Sequence, residues 1–222
     1  MDQYLKGKKI LITAGPTWVA IDKVRAITNI FGGTLGAIIA ENANKLGADV
    51  TLLFGPGRTS LPKAENNFKI IKFKYFEELL DLVKKEVGSK KYDIVIHSAA
   101  VADYTPVNVN DGKIKSGKES LTIELKPTIK IVNLIKDLDP NIFLVKFKLE
   151  VNLSEKELLD VAYKSMQESK ADLIVANDFN TVQKDHKAFI IDKDKSIKEF
   201  FGKKEIALGL LETLKEKINH AG

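Results

Sequence analysis

A doubly wound α/β domain, built on a mostly parallel sheet, is the fold this sequence predicts, and three observations predict it. Short, nearly continuous apolar runs alternate with amphipathic helical stretches, as expected of strands buried on both faces. Glycine and proline punctuate the ends of those runs, at Gly15-Pro16, Gly32-Gly33, Gly47 and Gly55-Pro56-Gly57. The 222 residues, 44% of them apolar, suffice for one core and are read as a single domain, 1–222.

Lys9-Ile10-Leu11-Ile12-Thr13 reads as the first strand, ending at Ala14-Gly15-Pro16-Thr17. After a long loop, a helix runs from Gly33 to Leu46 and stops at Gly47. Val50–Phe54 and Phe68–Phe73 are the next strands, Phe76–Val87 is a helix, and Tyr92–His97 is a strand running into Ser98-Ala99-Ala100. Asp111–Lys118 is a polar, lysine-rich loop, and Leu121–Leu125 alternates like an edge strand. Helix Ile129–Asp137, strand Phe143–Phe147, helix Ser154–Ser169 and strand Asp172–Ala176 restore the pattern. Ala188–Ile191 with Ser196–Phe200 forms a late hairpin, before a terminal helix over Lys203–Asn219. The expected architecture is Rossmann-like, with helices on both faces and a small irregular β insertion.

Composition narrows the function classes. Cysteine is absent, which removes disulfide scaffolds, thiolate zinc sites and a cysteine nucleophile. The three histidines, His97, His186 and His220, have no metal-ligand spacing. No apolar run approaches the roughly 18 residues of a membrane span, and the N-terminus lacks a secretory apolar stretch, so the expectation is a cytoplasmic protein with no membrane partner. Lys plus Arg total 35 against 30 acids, a net charge of +5. That excess suits an enzyme for phosphorylated substrates as well as it suits a nucleic-acid binder, and the expectation here is no nucleic acid. Only Arg25 and Arg58 are arginine, both in loops that contain glycine nearby.

In such sheets ligands bind beyond the carboxyl ends of the strands, and three segments lie there. Gly15-Pro16-Thr17 and the loop through Gly32-Gly33 to Gly36 let backbone approach an anion at a helix N-terminus, or form an ordinary strand-to-helix turn. Ser98-Ala99-Ala100-Val101-Ala102-Asp103-Tyr104 offers small residues after a buried strand. Its carboxylate, Asp103, suits a metal ion, a ribose-type hydroxyl or a helix cap. Lys113, Lys115 and Lys118 either close over phosphates or form a solvated loop. Trp18 and Tyr104 either stack on a ring or pack within surface loops. His97 ends a buried strand. A P-loop and a serine nucleophile elbow are both missing. Ordinary NAD use is disfavoured too: no Gly-x-Gly-x-x-Gly follows the first strand, and Phe54-Gly55-Pro56 leaves no acidic residue for the ribose.

Leu11-Ile12-Thr13-Ala14-Gly15-Pro16-Thr17 followed by Ile21-Asp22-Lys23-Val24-Arg25-Ala26-Ile27-Thr28-Asn29 resembles the pattern of the phosphopantothenoylcysteine synthetase (phosphopantothenate–cysteine ligase) family. Ala99-Ala100-Val101-Ala102-Asp103-Tyr104, Lys113-Ile114-Lys115-Ser116 and Val175-Ala176-Asn177-Asp178 continue the resemblance in order along nearly the whole chain. Pro16 stands where the pattern has a second glycine, and Ile30-Phe31-Gly32 where it has polar residues. Val145-Lys146-Phe147-Lys148-Leu149-Glu150 looks like the FKLE form of standalone members.

The resemblance implies a ligase of coenzyme A biosynthesis that takes 4′-phosphopantothenate, L-cysteine and a nucleoside triphosphate, CTP in preference or ATP, with Mg²⁺. It implies an acyl-nucleotide intermediate, a homodimer whose interface includes Leu121–Leu125 and residues 180–200, and a separate decarboxylase acting next. Catalytic roles fall to Asn29, Lys113 and Arg25. Nucleotide contacts fall to Gly15, His97, Ser98, Ala99, Asp103, Lys113, Ile129, Lys130, Ile131, Val132, Phe147 and Lys164, with Asp103 as metal candidate. Substrate contacts fall to Arg25, Asn29, Gly32, Gly33, Ala100 and Asn177. The alternative is a regulator of the same fold that binds nucleotide or phosphopantothenate without catalysis.

Overall fold

The computed structural model describes residues 3–57, 59–62, 66–117 and 119–219. Arg58, Lys118 and His220, singled out in the sequence, lie outside the described residues.

Apolar alternation sets the central strand. In β1 (Lys9–Ala14), Ile10, Ile12 and Ala14 face one core cluster while Leu11 faces the other, so the strand is buried on both sides. The hairpin β2 (Trp18–Ala20) and β3 (Ala26–Thr28) leaves the sheet before α1 (Thr34–Lys45) returns the chain to β4 (Asp49–Phe54). β5 (Phe68–Lys72) forms one edge, and α2 (Phe76–Gly88) crosses to β6 (Ile94–His97) on the far side of β1. The two-stranded arm β7 (Tyr104–Pro106) and β8 (Leu125–Pro127) precedes α3 (Ile131–Leu138), β9 (Phe143–Glu150), α4 (Glu155–Glu168) and β10 (Leu173–Asp178). A short α5 (Phe179–Lys184), the hairpin β11 (Lys187–Asp192) and β12 (Ile197–Phe201), and α6 (Lys203–Asn219) complete the described fold.

The eight-stranded sheet runs β12-β11-β10-β9-β6-β1-β4-β5. All pairs from β5 to β10 are parallel, while β11 and β12 add antiparallel. Strand order reverses between β1 and β6, and a crevice opens beyond their carboxyl ends at that point. α1 and α6 cover one face, where Ile39 and Ala40 meet Leu210 and Leu214. α2, α3 and α4 cover the other, with Leu79, Ile135 and Leu158 inside. α4 starts where the sequence signals it: Ser154 accepts from the Glu157 amide, and the Glu157 carboxylate accepts from the Ser154 amide.

The expected Rossmann-like fold is therefore the observed one, with corrections at its margins. Leu121–Leu125 is not an edge strand of the main sheet; only Leu125 enters a strand, β8, and that strand pairs with β7. The late hairpin forms as expected, and because β11 extends the ladder of β10, residues 187–201 are the antiparallel edge of the main sheet. Within the expected long loop Arg25 stands in the β2–β3 hairpin, since Asp22 accepts from the Val24 and Arg25 amides and closes a turn. Trp18 is used in packing: its ring meets Tyr75 edge-on at 6.5 Å, with the Lys74 ammonium 4.6 Å from its centroid.

Candidate functional site

A cleft of about 570 Å³ opens where β1 and β6 end. Two loops are laced together at its base. The Ala100 amide donates to the Gly15 carbonyl at 3.0 Å and the Thr17 amide to the Ala100 carbonyl at 3.2 Å. The Ala102 amide donates to Thr17 Oγ1 at 2.9 Å. Asn29 joins this lacing: its side-chain amide donates to the Ala100 carbonyl at 2.9 Å and to the Val101 carbonyl at 3.4 Å. Its two N–H groups thus face backbone, and Oδ1 is the atom it offers to a ligand, an acceptor and not a donor.

One wing of the cleft is made of backbone. Gly33 caps α1 in the left-handed region, at φ 82°, and a Cβ there would lie 2.6 Å from the Gly15 nitrogen. At Gly36 a Cβ would lie 2.5 Å from the Ala14 Cβ. These two contacts let α1 start directly against the end of β1, with Gly32, Gly33 and Thr34 on the cleft wall. The amides of the first helical turn lack intrahelical acceptors and carry the positive end of the helix dipole, which suits an anion. Phe31, beside them, packs edge-on against Phe179 at 6.0 Å.

The other wing is made of side chains. Thr13, His97 and Lys146 are register partners on β1, β6 and β9, and so form one row across the sheet on its α2–α4 face. Thr13 Oγ1 accepts from the Ala99 amide at 3.1 Å and lies 3.0 Å from His97 Nδ1. Burial pushes the His97 pKa down to about 4, assisted by the Lys146 charge, so the ring is neutral at ordinary pH. Burial also pushes Lys146 down to about 8, helped by Lys148 and Lys130 and opposed by Glu168. Its ammonium donates to the Ser165 carbonyl and to Ser165 Oγ, each at 2.9 Å.

Most of the sequence-predicted residues come together here. Gly15, Asn29, Gly32 and Gly33 lie on the backbone wing, and Ala100 and Asn177 line the cleft between the wings. His97 ends β6, and Ser98, Ala99 and Asp103 follow it in order along the wall. Ile129 and Lys130 precede α3, with Ile131 and Val132 in its first turn. Phe147 lines the cleft too, but from the α1–α6 face, opposite Lys146. Asp103 is ion-paired with Lys130, both more than half exposed. No group of three His, Asp or Glu capable of holding a metal occurs among the described residues.

Arg25, Lys113 and Lys164 stand outside the cleft lining. Arg25 instead straps a loop: Nη2 donates to the Ile114 carbonyl at 2.6 Å, while Asp22 accepts from the Ile114 amide at 3.0 Å. Chiefly that amide, with the amides of Val24 and Arg25 and the guanidinium charge, holds the Asp22 carboxyl below its usual range. Exposed Lys113 is thereby attached, through Ile114, to the β2–β3 hairpin. Lys164 points to solvent from α4.

Lys146, Ser165, Glu168, Lys148, His186 and Lys203 also line the cleft and were not anticipated as site residues. The signal for Lys146 was present: a lysine interrupts the apolar run Phe143–Phe147, which a strand buried on both faces has no packing reason to contain. His186 Nε2 is the one buried side-chain polar atom without a partner among the described residues.

Comparison with known proteins bears on this architecture directly. The sequence profile of the DNA/pantothenate metabolism flavoprotein C-terminal domain matches residues 5–218. The coenzyme A biosynthesis bifunctional protein CoaBC of Thermococcus kodakarensis is 44% identical over 174 residues, covering 78% of this chain and 42% of that protein. The chain spans about half or less of the length of the curated relatives it matches. Among solved structures, the DNA/pantothenate metabolism flavoprotein of Streptococcus pneumoniae superposes with a TM-score of 0.87 at 36% identity, over 95% of this chain and 100% of that one. The C-terminal domain of a CoaBC gives 0.81 at 30% identity, over 99% and 100%. With the fold, the glycine-built helix start and the sequence profile in agreement, the chain belongs to the DNA/pantothenate metabolism flavoprotein C-terminal domain family.

Proposed function

We propose that this chain is a phosphopantothenate–cysteine ligase. The observation that carries the reading is the cleft itself: it joins an anion-binding helix start to the Ser98–Asp103 strand end in a member of this family. In the proposed reaction, the carboxylate of 4′-phosphopantothenate attacks the α-phosphorus of CTP, or alternatively ATP. Pyrophosphate leaves and an acyl nucleotide remains. The amine of L-cysteine then attacks the acyl carbon, the amide bond forms, and the nucleoside monophosphate departs with the bonding electrons.

The helix-start amides at Gly33–Gly36 suit the triphosphate, whose charge they meet without a fixed cation. Lys113, on the loop strapped by Arg25, is assigned to neutralising charge as pyrophosphate leaves. Asn29 holds the Ala100–Val101 carbonyls and offers Oδ1 to the incoming amine. Mg²⁺, when bound, neutralises phosphate charge. Such an ion keeps mostly phosphate and water ligands, so the single carboxylate of Asp103 fits it where a protein cage is not required. A homodimer belongs to the same proposal, supported by exposed Val109, Leu121 and Leu125 on and beside the β7–β8 arm. A decarboxylase activity would consume the product.

The test is pyrophosphate release with 4′-phosphopantothenate and CTP or ATP, with and without cysteine. Release that requires phosphopantothenate and rises with cysteine is expected. Nucleotide binding without release under either condition would overturn the ligase in favour of a non-catalytic binder.

A further inference from the structure

The lysine loop divides into two unlike halves. Residues 110–114 are docked on the turn of the β2–β3 hairpin: the Asn110 amide donates to the Ile21 carbonyl at 3.1 Å, and the Lys23 amide to the Gly112 carbonyl at 3.4 Å. Both backbone groups of Ile114 are held as well, the carbonyl by Arg25 Nη2 and the amide by Asp22 Oδ2. Beyond Ile114, the described residues through Thr122 are all exposed, and a Cβ at Gly117 would meet open space. Lys113 stands just before that division. The docking turn also belongs to the cleft, because β3 follows Arg25 and leads directly into Asn29 on the cleft wall.

Asp22 does more there than close a turn. The turn uses Oδ1, which accepts from the Val24 and Arg25 amides at 2.9 and 2.8 Å, and an asparagine would serve it equally. Oδ2 is the second acceptor that a carboxylate adds. It takes the Ile114 amide at 3.0 Å and faces Arg25 Nε at 3.4 Å. The Asp22 side chain is wholly buried, so lifting Ile114 away would strand a charged oxygen out of water. The docked half therefore stays in place while the exposed half is free to move. We propose that Asp22 is a positioning residue for the ligase reaction, pinning Ile114 through every step so that Lys113 approaches the leaving pyrophosphate from a fixed point. This rests on the reading that Lys113 neutralises charge as pyrophosphate leaves.

Amide hydrogen exchange on the wild-type chain, alone and with 4′-phosphopantothenate, Mg²⁺ and CTP or ATP, tests the pin without any substitution. The Ile114 amide is expected to stay protected in both states, while amides beyond it gain protection when the substrates bind. Asp22→Asn keeps an acceptor for the turn but loses the second one. It should raise exchange at Ile114 about tenfold or more and lower kcat for pyrophosphate release about tenfold, with KM for the triphosphate within about threefold. On a Lys113→Gln background the same substitution should change kcat less than about twofold, because it acts through the lysine. Three results overturn the role: loss of Ile114 protection on substrate binding, an unchanged kcat in Asp22→Asn, or an equal loss of kcat on the Lys113→Gln background. The wild-type exchange decides the matter if Asp22→Asn does not fold. A wild type that releases no pyrophosphate overturns the ligase reading and this role together, whereas those three results in an active wild type overturn the role alone.

Discussion

The two wings of the cleft are built from different materials. The α1 wing presents main-chain amides, positioned by glycines that let a helix begin against the end of a strand. The α3–α4 wing presents ionisable side chains, positioned by strand register and by a helix crossing above them. A backbone wing accepts any ligand with the right charge and is indifferent to its identity. A side-chain wing discriminates, because each group is donor or acceptor at a fixed place. Response to charge on one side and discrimination by fixed donors and acceptors on the other is the division of labour that the two materials permit.

The strongest way to break that contrast is at the backbone. Gly33→Ala forces a Cβ to 2.6 Å from the Gly15 nitrogen at a left-handed φ. A loss of about 3 kcal/mol in denaturant unfolding is expected, with weaker binding of every triphosphate alike. Loss of CTP binding alone would mean that the wings are not separable. Lys113→Gln lies on neither wing, and its exposed side chain predicts unchanged stability. Turnover should fall by about 10²-fold if this lysine neutralises developing charge, and a loss below about threefold would return the loop to a solvated surface.

The side-chain wing has its own signature in alkaline solution. The folded chain releases the Lys146 proton near pH 8, whereas the unfolded chain holds it to its ordinary value of 10.5. Between those values the unfolded state binds more protons, so this residue makes stability rise with pH by up to about 3 kcal/mol; below about pH 8 it adds no slope. Unfolding curves of wild type and Lys146→Met, compared at pH 7.5 and 9.5, should diverge in that sense. Parallel curves would refute a buried ammonium. The smallest effect is expected at Asn29→Asp, which replaces two donors to carbonyls with a carboxylate facing them. A loss of about 1 kcal/mol in stability and a rise in KM are expected. Unchanged stability would show that the Ala100–Val101 loop does not depend on Asn29.

How much of this could be read in advance follows the same division. The parallel sheet was legible because strands such as Ile10–Ala14 must be apolar on both faces. The α1 wing was legible because only glycine permits that approach. Lys146 was visible as an interruption in an apolar strand, but the same sequence position is equally compatible with a rim lysine reaching solvent. Arg25 was expected at the cleft, but the Asp22 side chain captures two amides, turns the chain back and leaves the guanidinium on the Ile114 carbonyl. Leu121–Leu125 alternates like a strand, but the β7–β8 ladder begins only at Leu125, preceded by a single bond from the Val107 amide to the Glu124 carbonyl.

By itself the sequence determined the order of strands and helices, the glycine-built helix start and the family motifs, because each of these is written in neighbouring residues. Tertiary structure alone decided which distant side chains meet. Thr13 and His97 stand 84 residues apart, and Lys146 and Ser165 are 19 apart. Their contacts exist because parallel strands lie side by side in a particular register and crossover helices return over them. Sequence periodicity fixes the face a residue occupies, but only the assembled sheet fixes its neighbour on that face.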